Sequence, residues 1–269
     1  MKTDPDMATP LFLKTLFLTG AALLVASMFA YWLLFKTENR ASQIYRKGQI
    51  LFGLIVLILH GLLTRGAGPL TMFAVVCLLA GTVAEMLGVR KGWIFGRYRY
   101  SESMGPRLFG SLPVAVPLMW FVICYLGGSM MELIVRGMNI PAAALPPVRV
   151  AVAAGIVTLF DAVIDPIAVA EKRWIWEKPG RYHGVPFSNF VGWFATAMVI
   201  FTLLNSLFYQ YPVRQGVPGW FAFLPAFGHC LFLALCANVC MERDLRLAGI
   251  IGWAGAVAFS AAGILSLRR

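Results

Sequence analysis

The chain has 269 residues, of which 59% are hydrophobic, and it carries a formal net charge of +11. This composition excludes an ordinary soluble domain, because the apolar residues exceed the usual half and stand in blocks of about 20, long enough to cross a bilayer. Since the basic residues lie mainly in short loops between these blocks, we expect membrane lipids and no nucleic acid as partners.

Eight apolar spans predict an all-α, polytopic integral membrane helical bundle that forms a single transmembrane domain over residues 1–269. All but the second reach the roughly 20 residues that a helix needs to cross the hydrocarbon core. In chain order, the predicted spans are residues 11–35, 49–64, 69–88, 109–135, 147–169, 188–208, 219–240 and 246–266.

The distribution of charge between the loops predicts the orientation of the chain. Fifteen of the 23 Lys and Arg residues fall in the loops after the first, third, fifth and seventh spans. Basic loops stay in the cytoplasm during insertion. We therefore expect the loops at about 89–108 and 170–187 to be cytoplasmic, both termini to be external, and the protein to cross the inner (cytoplasmic) membrane several times.

Three acidic residues lie inside predicted spans, toward their cytoplasmic ends: Glu85 in the third span, and Asp161 and Asp165 in the fifth. The two aspartates are four residues apart and share one helical face. A charged side chain within a bilayer costs roughly 2.5–3.5 kcal/mol on insertion scales, so such acids usually face a bundle interior or a cavity. We identify all three as candidate catalytic residues; the alternative is that they pair with loop arginines near the interface.

Pro166 directly follows the second aspartate. A proline inside a helix leaves the carbonyl one turn earlier without its usual donor, which predicts a kink and local space beside the two acids.

The segment from 174 to 193 is rich in aromatic, glycine, proline and polar residues. An interfacial aromatic belt would account for its tryptophans and tyrosine, but not for the glycines and prolines among them. We therefore predict a re-entrant or interfacial loop that forms part of a site. The candidate substrate-binding residues on this side of the membrane are Trp174, Trp176, Tyr182, Asn189, Trp193, Tyr98, Tyr100 and Trp120.

Five fragments of the sequence together resemble the membrane-bound carotenoid 1,2-hydratase family, which includes bisanhydrobacterioruberin hydratase-like proteins. The resemblance extends from about residue 50 to 240. The fragments are Glu85 to Gly88, Gly96-Arg-Tyr-Arg-Tyr, Pro113 to Trp120, Asp161-x-x-x-Asp-Pro, and Trp174-x-Trp…Gly180-x-Tyr-x-Gly-Val-Pro…Asn189-Phe-x-Gly-Trp193.

This resemblance implies carotenoid biosynthesis, by addition of water to a terminal isoprenoid C=C bond of an acyclic or monocyclic carotenoid to form a tertiary alcohol. It implies no cofactor and a lipophilic substrate that arrives from the bilayer, and it leaves room for association with other enzymes of the carotenoid pathway. The residues fit this chemistry: a carboxylic acid in an apolar site can protonate the alkene, and aromatic faces can stabilise the tertiary cation.

Two other functions fit part of the pattern. Aspartates four apart could bind Mg²⁺ and a diphosphate in an intramembrane prenyltransferase, but a second Asp-rich cluster is missing from the sequence. The same aspartates could relay protons or cations in a transporter, but no inverted repeat is visible. No metal site is predicted, and the sequence contains neither a Walker loop nor a His-Glu-x-x-His motif.

Overall fold

The computed structural model describes residues 11–34, 40–207 and 212–267. Helices dominate these residues, as the length and apolar character of the predicted spans require. In chain order they are α1 (Leu11–Leu34), α2 (Arg40–Thr64), α3 (Ala67–Lys91), α4 (Ala115–Arg136), α5 (Leu145–Ala170), α6 (Phe187–Leu207), α7 (Gly219–Ala222), α8 (Leu224–Glu242) and α9 (Arg246–Leu267).

Six helical segments among the described residues are long and apolar enough to cross a membrane: α3, α4, α5 with the short 3₁₀ turn before it, α6, α8 and α9. They agree with the predicted all-α membrane bundle. Two shorter apolar stretches, Thr15–Ser27 and Gly48–Thr64, lie in the first two predicted spans. The count of eight crossings stays a prediction. The external placement of both termini is a prediction too, since the terminal residues 1–10 and 268–269 lie outside the described residues. Phe35 and Phe208, at the ends of two predicted spans, also lie outside them.

The described chain divides into two compact units. The first comprises the residues up to Leu70 together with Pro212–Val217, and it contains α1 and α2 packed against each other. Ser27 joins these two helices, because its backbone carbonyl accepts a hydrogen bond from the Tyr45 hydroxyl and its side chain accepts one from Gln49.

The second unit contains α3 from Thr71 onward and all of α4, α5, α6, α7, α8 and α9. Helix α5 is central, since it packs against α4, α6, α8 and α9. Gly252 of α9 lets that helix approach closely: a Cβ placed there would lie 3.2 Å from the Val163 methyl groups. Small residues at such contacts are the usual way in which membrane helices pack. The bundle therefore encloses the face of α5 that carries Asp161 and Asp165.

Four short strands add to the predicted helices. Strand β1 (Tyr98–Tyr100) follows α3, and β4 (Trp174–Trp176) follows α5; they pair antiparallel, with Tyr98 opposite Trp176 and Tyr100 opposite Trp174. Strands β2 (Arg107–Leu108) and β3 (Leu112–Pro113) form a small hairpin.

That hairpin corrects one predicted boundary. Residues 109–114 were predicted to begin the fourth span, but they belong to the hairpin and the residues just after it, and α4 begins at Ala115. Residues 108–114 carry no charge, so the sequence alone does not distinguish them from the neighbouring apolar block, and the span was predicted to begin too early.

Candidate functional site

The two aspartates of α5 are buried, with 0% of Asp161 and 2% of Asp165 exposed. Asn189, in the first turn of α6, holds them together. Its side-chain amide donates one hydrogen bond to Asp161 Oδ2 at 2.9 Å and one to Asp165 Oδ2 at 2.6 Å. Among the described residues, the second oxygen of Asp161, Oδ1, has no hydrogen-bond partner. Two adjacent carboxyl groups therefore share the neutral amide of Asn189.

Glu85 is 3% exposed and has a very different environment. Its Oε2 accepts hydrogen bonds from the hydroxyl groups of Tyr98 and of Tyr100, the second at 2.7 Å. Its Oε1 accepts the indole N–H of Trp120 at 3.0 Å. Both oxygens of this carboxyl group are thus occupied by donors, which come from β1 and from α4.

Alternation along the paired strands explains how the aromatic residues reach this point. In a strand, side chains one residue apart face opposite sides and those two apart share a side. Tyr98 and Tyr100 are buried in β1, as are Trp174 and Trp176 in β4, whereas Arg99 between the two tyrosines is exposed. The register of the sheet places the four buried rings side by side.

The two tyrosines are held as hydrogen-bond donors. Burial, followed by the nearby Glu85 carboxylate, raises the pKa of Tyr98 and of Tyr100 well above the ordinary value for tyrosine. Both hydroxyl groups are therefore protonated throughout the physiological pH range.

A cavity of about 20 Å³ lies between the aspartate pair, Glu85 and the aromatic side chains, and this volume accommodates about one water molecule. Asp165 lines the cavity, whereas Asp161 does not. The lining residues are Glu85, Phe95, Tyr98, Tyr100, Met119, Asp165, Trp174, Trp176, Asn189 and Trp193.

Trp193 closes one side of the cavity from α6. Its ring stacks on that of Trp120, with the centroids 4.1 Å apart and an interplanar angle of 20°. Trp120 therefore connects two parts of the site, because it also donates to Glu85.

Two of the loop arginines that could have neutralised the acids form ion pairs elsewhere. Arg97 pairs with Glu177, and Arg173 pairs with Glu171. Within the described ranges, no ion pair involves the three buried acids. The alternative that these acids merely pair with loop arginines therefore has no support among these residues. Nor do the described His, Cys, Asp and Glu side chains form a group of three or more arranged to hold a metal ion.

The structure brings most of the predicted site residues to the cavity, but three of them, Asp161, Trp120 and Tyr182, do not line it. Tyr182 is held instead by the backbone of α5. Its hydroxyl donates to the backbone carbonyl of Ala162, at 2.8 Å. Its ring packs edge-on against Phe190. The turn that carries it closes through hydrogen bonds from Gly180 N to Gly184 O and from Val185 N to Tyr182 O.

Two cavity residues were not predicted from the sequence, Phe95 and Met119. Phe95 lies two residues before the Arg-Tyr-Arg-Tyr stretch, and its backbone carbonyl accepts the indole N–H of Trp176 at 3.2 Å. Gly192 lets the Phe95 segment approach α6: a Cβ there would lie 2.6 Å from the Ile94 carbonyl oxygen. The signal available in the sequence was the glycine on either side of this segment, at 92 and 96.

The three acids of the site are suited to different roles in proton transfer. At least one proton is held by the aspartate pair, because two buried carboxylates side by side repel each other. A carboxyl group surrounded by three donors is better suited to carry negative charge. The cavity between these groups has room for one water molecule and is lined by several aromatic rings. In the described part of the chain, no positively charged side chain is hydrogen-bonded to the three acids.

Comparison with known proteins gives two matches. A family model described as "Carotenoid biosynthesis protein" matches residues 46–258, which include every residue of the site. A bisanhydrobacterioruberin hydratase of Haloarcula japonica is 34% identical over 171 residues, covering 62% of this chain and 56% of the relative. The match thus spans little more than half the length of that relative. No solved structure matches the chain.

Proposed function

The chain belongs to the carotenoid biosynthesis protein family, and we propose that it adds water to a terminal isoprenoid C=C bond of an acyclic or monocyclic carotenoid. The product is a tertiary alcohol. The relative from Haloarcula japonica is named as a hydratase, and the residues that line the cavity support the same activity for this chain.

The observation that carries the proposal is the cavity itself. It has room for about one water molecule and is bounded by Asp165 on one helix and Glu85 on another. Hydration of an unactivated alkene requires a proton donor, a water molecule and a group that accepts the proton lost by that water. All three have a place around one aromatic-walled cavity.

Asp165 is the proton donor in this proposal. It lines the cavity, whereas Asp161 does not, and the two aspartates share the amide group of Asn189. Repulsion between the two carboxylates keeps a proton on the pair. Transfer of that proton to the less substituted alkene carbon leaves a tertiary cation at the other carbon.

The aromatic walls stabilise this cation. Trp174, Trp176 and Trp193 line the cavity, and a cation over such a ring gains roughly 2 kcal/mol or more when water is excluded. Water then attacks the cation, forms the C–O bond and loses a proton.

Helix α6 supports access from the bilayer. Asn189 and Trp193 lie on its inner face, whereas Phe187, Val191 and Phe194 recur at helical spacing on the outer face, 80%, 53% and 40% exposed. A lipophilic chain in the membrane can thus lie against the same helix that carries the cavity residues. The site lies near the proposed cytoplasmic face of the inner membrane.

Expression in a host that accumulates lycopene tests the function. We expect pigments that are heavier by the mass of one or two water molecules, and the Asp165→Asn variant, present in the membrane at a similar level, to form at least 100-fold less of them. Unchanged lycopene in the host with the wild-type protein would contradict the proposed function. Equal product from wild type and variant would remove the assigned proton donor.

A further inference from the structure

The three buried carboxyl groups differ sharply in their donors. Asp161 and Asp165 together accept the two N–H bonds of one Asn189 amide, and the Trp174 indole is a further donor close to Asp165. Glu85 alone has three donors: the hydroxyl groups of Tyr98 and Tyr100 and the indole of Trp120. An indole N–H can only donate, so Glu85 Oε1 must act as an acceptor.

We propose that Glu85 is the base that takes the proton from the attacking water, and that Tyr98, Tyr100 and Trp120 are positioning residues that keep it ionised and aimed at the cavity. This inference rests on the proposed hydration and assigns the base that the reaction requires. Both tyrosine hydroxyl groups can donate to Oε2 at once only when that oxygen carries no proton, which favours the ionised form.

The proton balance closes within the site. The Asp165 carboxyl group gives its proton to the alkene, so that a C–H bond forms and the π bond breaks. Water forms the C–O bond to the resulting cation, and the oxonium passes one proton to Glu85. The proton then has to return from Glu85 to Asp165. Since both residues line the same cavity, the next water molecule to arrive can bridge them, and no external acid is consumed.

The groups around Glu85 determine how its role depends on pH. From β1 it faces Tyr98 and Tyr100, from α4 Trp120, and from α5 the acids Asp161 and Asp165. Burial and the two acids oppose a negative charge on Glu85, and the three donors favour it. A base must be ionised to work, so activity is lost as the pH falls and the base becomes protonated.

The pH–rate profile of lycopene hydration in isolated membranes therefore tests the assignment. Replacing a donor makes the carboxylate easier to protonate, so in Tyr98→Phe and in Tyr100→Phe the acidic limb should move to higher pH by about one unit. Tyr125→Phe is the matched control, because Tyr125 is a buried tyrosine of α4 whose ring packs against Phe73 and Phe121; its acidic limb should stay in place. Glu85→Gln should lower the rate at least 100-fold at every pH.

The outcomes separate the two proposals. If the wild-type protein adds no water to lycopene, the proposed function fails. If it does add water but Glu85→Gln retains its rate, hydration stands and Glu85 is not the base. Should Glu85→Gln fail to accumulate in the membrane, the tyrosine variants decide the question: an acidic limb that stays in place in both would overturn the role assigned to the donors.

Discussion

The Tyr182 hydroxyl donates a hydrogen bond of 2.8 Å to the backbone carbonyl of Ala162. This carbonyl lies four residues before Pro166 in α5, and because proline has no N–H, the helix itself leaves the carbonyl without its usual donor. Burial raises the pKa of Tyr182 above the ordinary value, which keeps the hydroxyl a donor. The loop before α6 thus completes the backbone hydrogen bonding of the helix that carries both aspartates.

A double-mutant cycle tests this relationship. Tyr182→Phe removes the donor and should lower the free energy of unfolding by about 1 kcal/mol, because the partly buried carbonyl then loses its protein donor. In the Pro166→Ala background the helix supplies its own N–H, so the same change should cost clearly less. Unfolding in detergent measures both effects. An equal cost in the two backgrounds would show that the hydroxyl does not compensate for the proline.

Gly81 in α3 allows Trp120 to reach Glu85. A Cβ at Gly81 would lie 2.6 Å from the Trp120 ring, so Gly81→Ala should displace the indole, break its hydrogen bond to the carboxylate and lower hydration about tenfold or more. The matched control is Gly155→Ala in α5, where a Cβ meets no atom within 4 Å. Hydration assays on equal amounts of membrane protein should separate the two variants, and similar activity in both would contradict the prediction.

Two variants of Trp193 test whether its ring acts in catalysis or only in packing. Phenylalanine retains a π-face in the cavity, whereas leucine does not. We expect Trp193→Phe to keep appreciable lycopene hydration and Trp193→Leu to lose at least tenfold, since a cation–π contact of roughly 2 kcal/mol in a dry site corresponds to about thirtyfold in rate. The amounts of folded protein in the membrane serve as the control. If both variants are equally active, the ring serves packing or anchoring.

The predicted orientation is open to a direct test with reporters fused to truncated chains. A reporter after Arg99 or after Arg181 should be cytoplasmic, and one after the C-terminal Arg269 should be external, because the argument rests on the alternation of basic loops. Enzymatic or fluorescent reporters that work on only one side of the membrane give the measurement. The same location for all three would overturn the eight-span topology.

The bilayer explains why much of the architecture is readable from the sequence. A helix must be about 20 apolar residues long to cross it, so the boundaries of α3, α5, α6 and α9 lie within a few residues of the predicted spans. The same cost of burying charge makes Glu85, Asp161 and Asp165 conspicuous. The spacing of the two aspartates is enough to place them on one face of α5.

The sequence by itself therefore determined the helical membrane bundle and the candidate acids, because bilayer thickness and the cost of burying charge act on each span separately. Only the tertiary structure decided what surrounds each acid. Strands of three residues are too short to show a period in the sequence, and the register that sets Tyr98 opposite Trp176 exists only because the loops after α3 and α5 meet. Tyr98 and Trp120, which were predicted to bind substrate, hydrogen-bond to Glu85. The sequence does not show such partners, because they depend on how segments that are distant in the chain pack together.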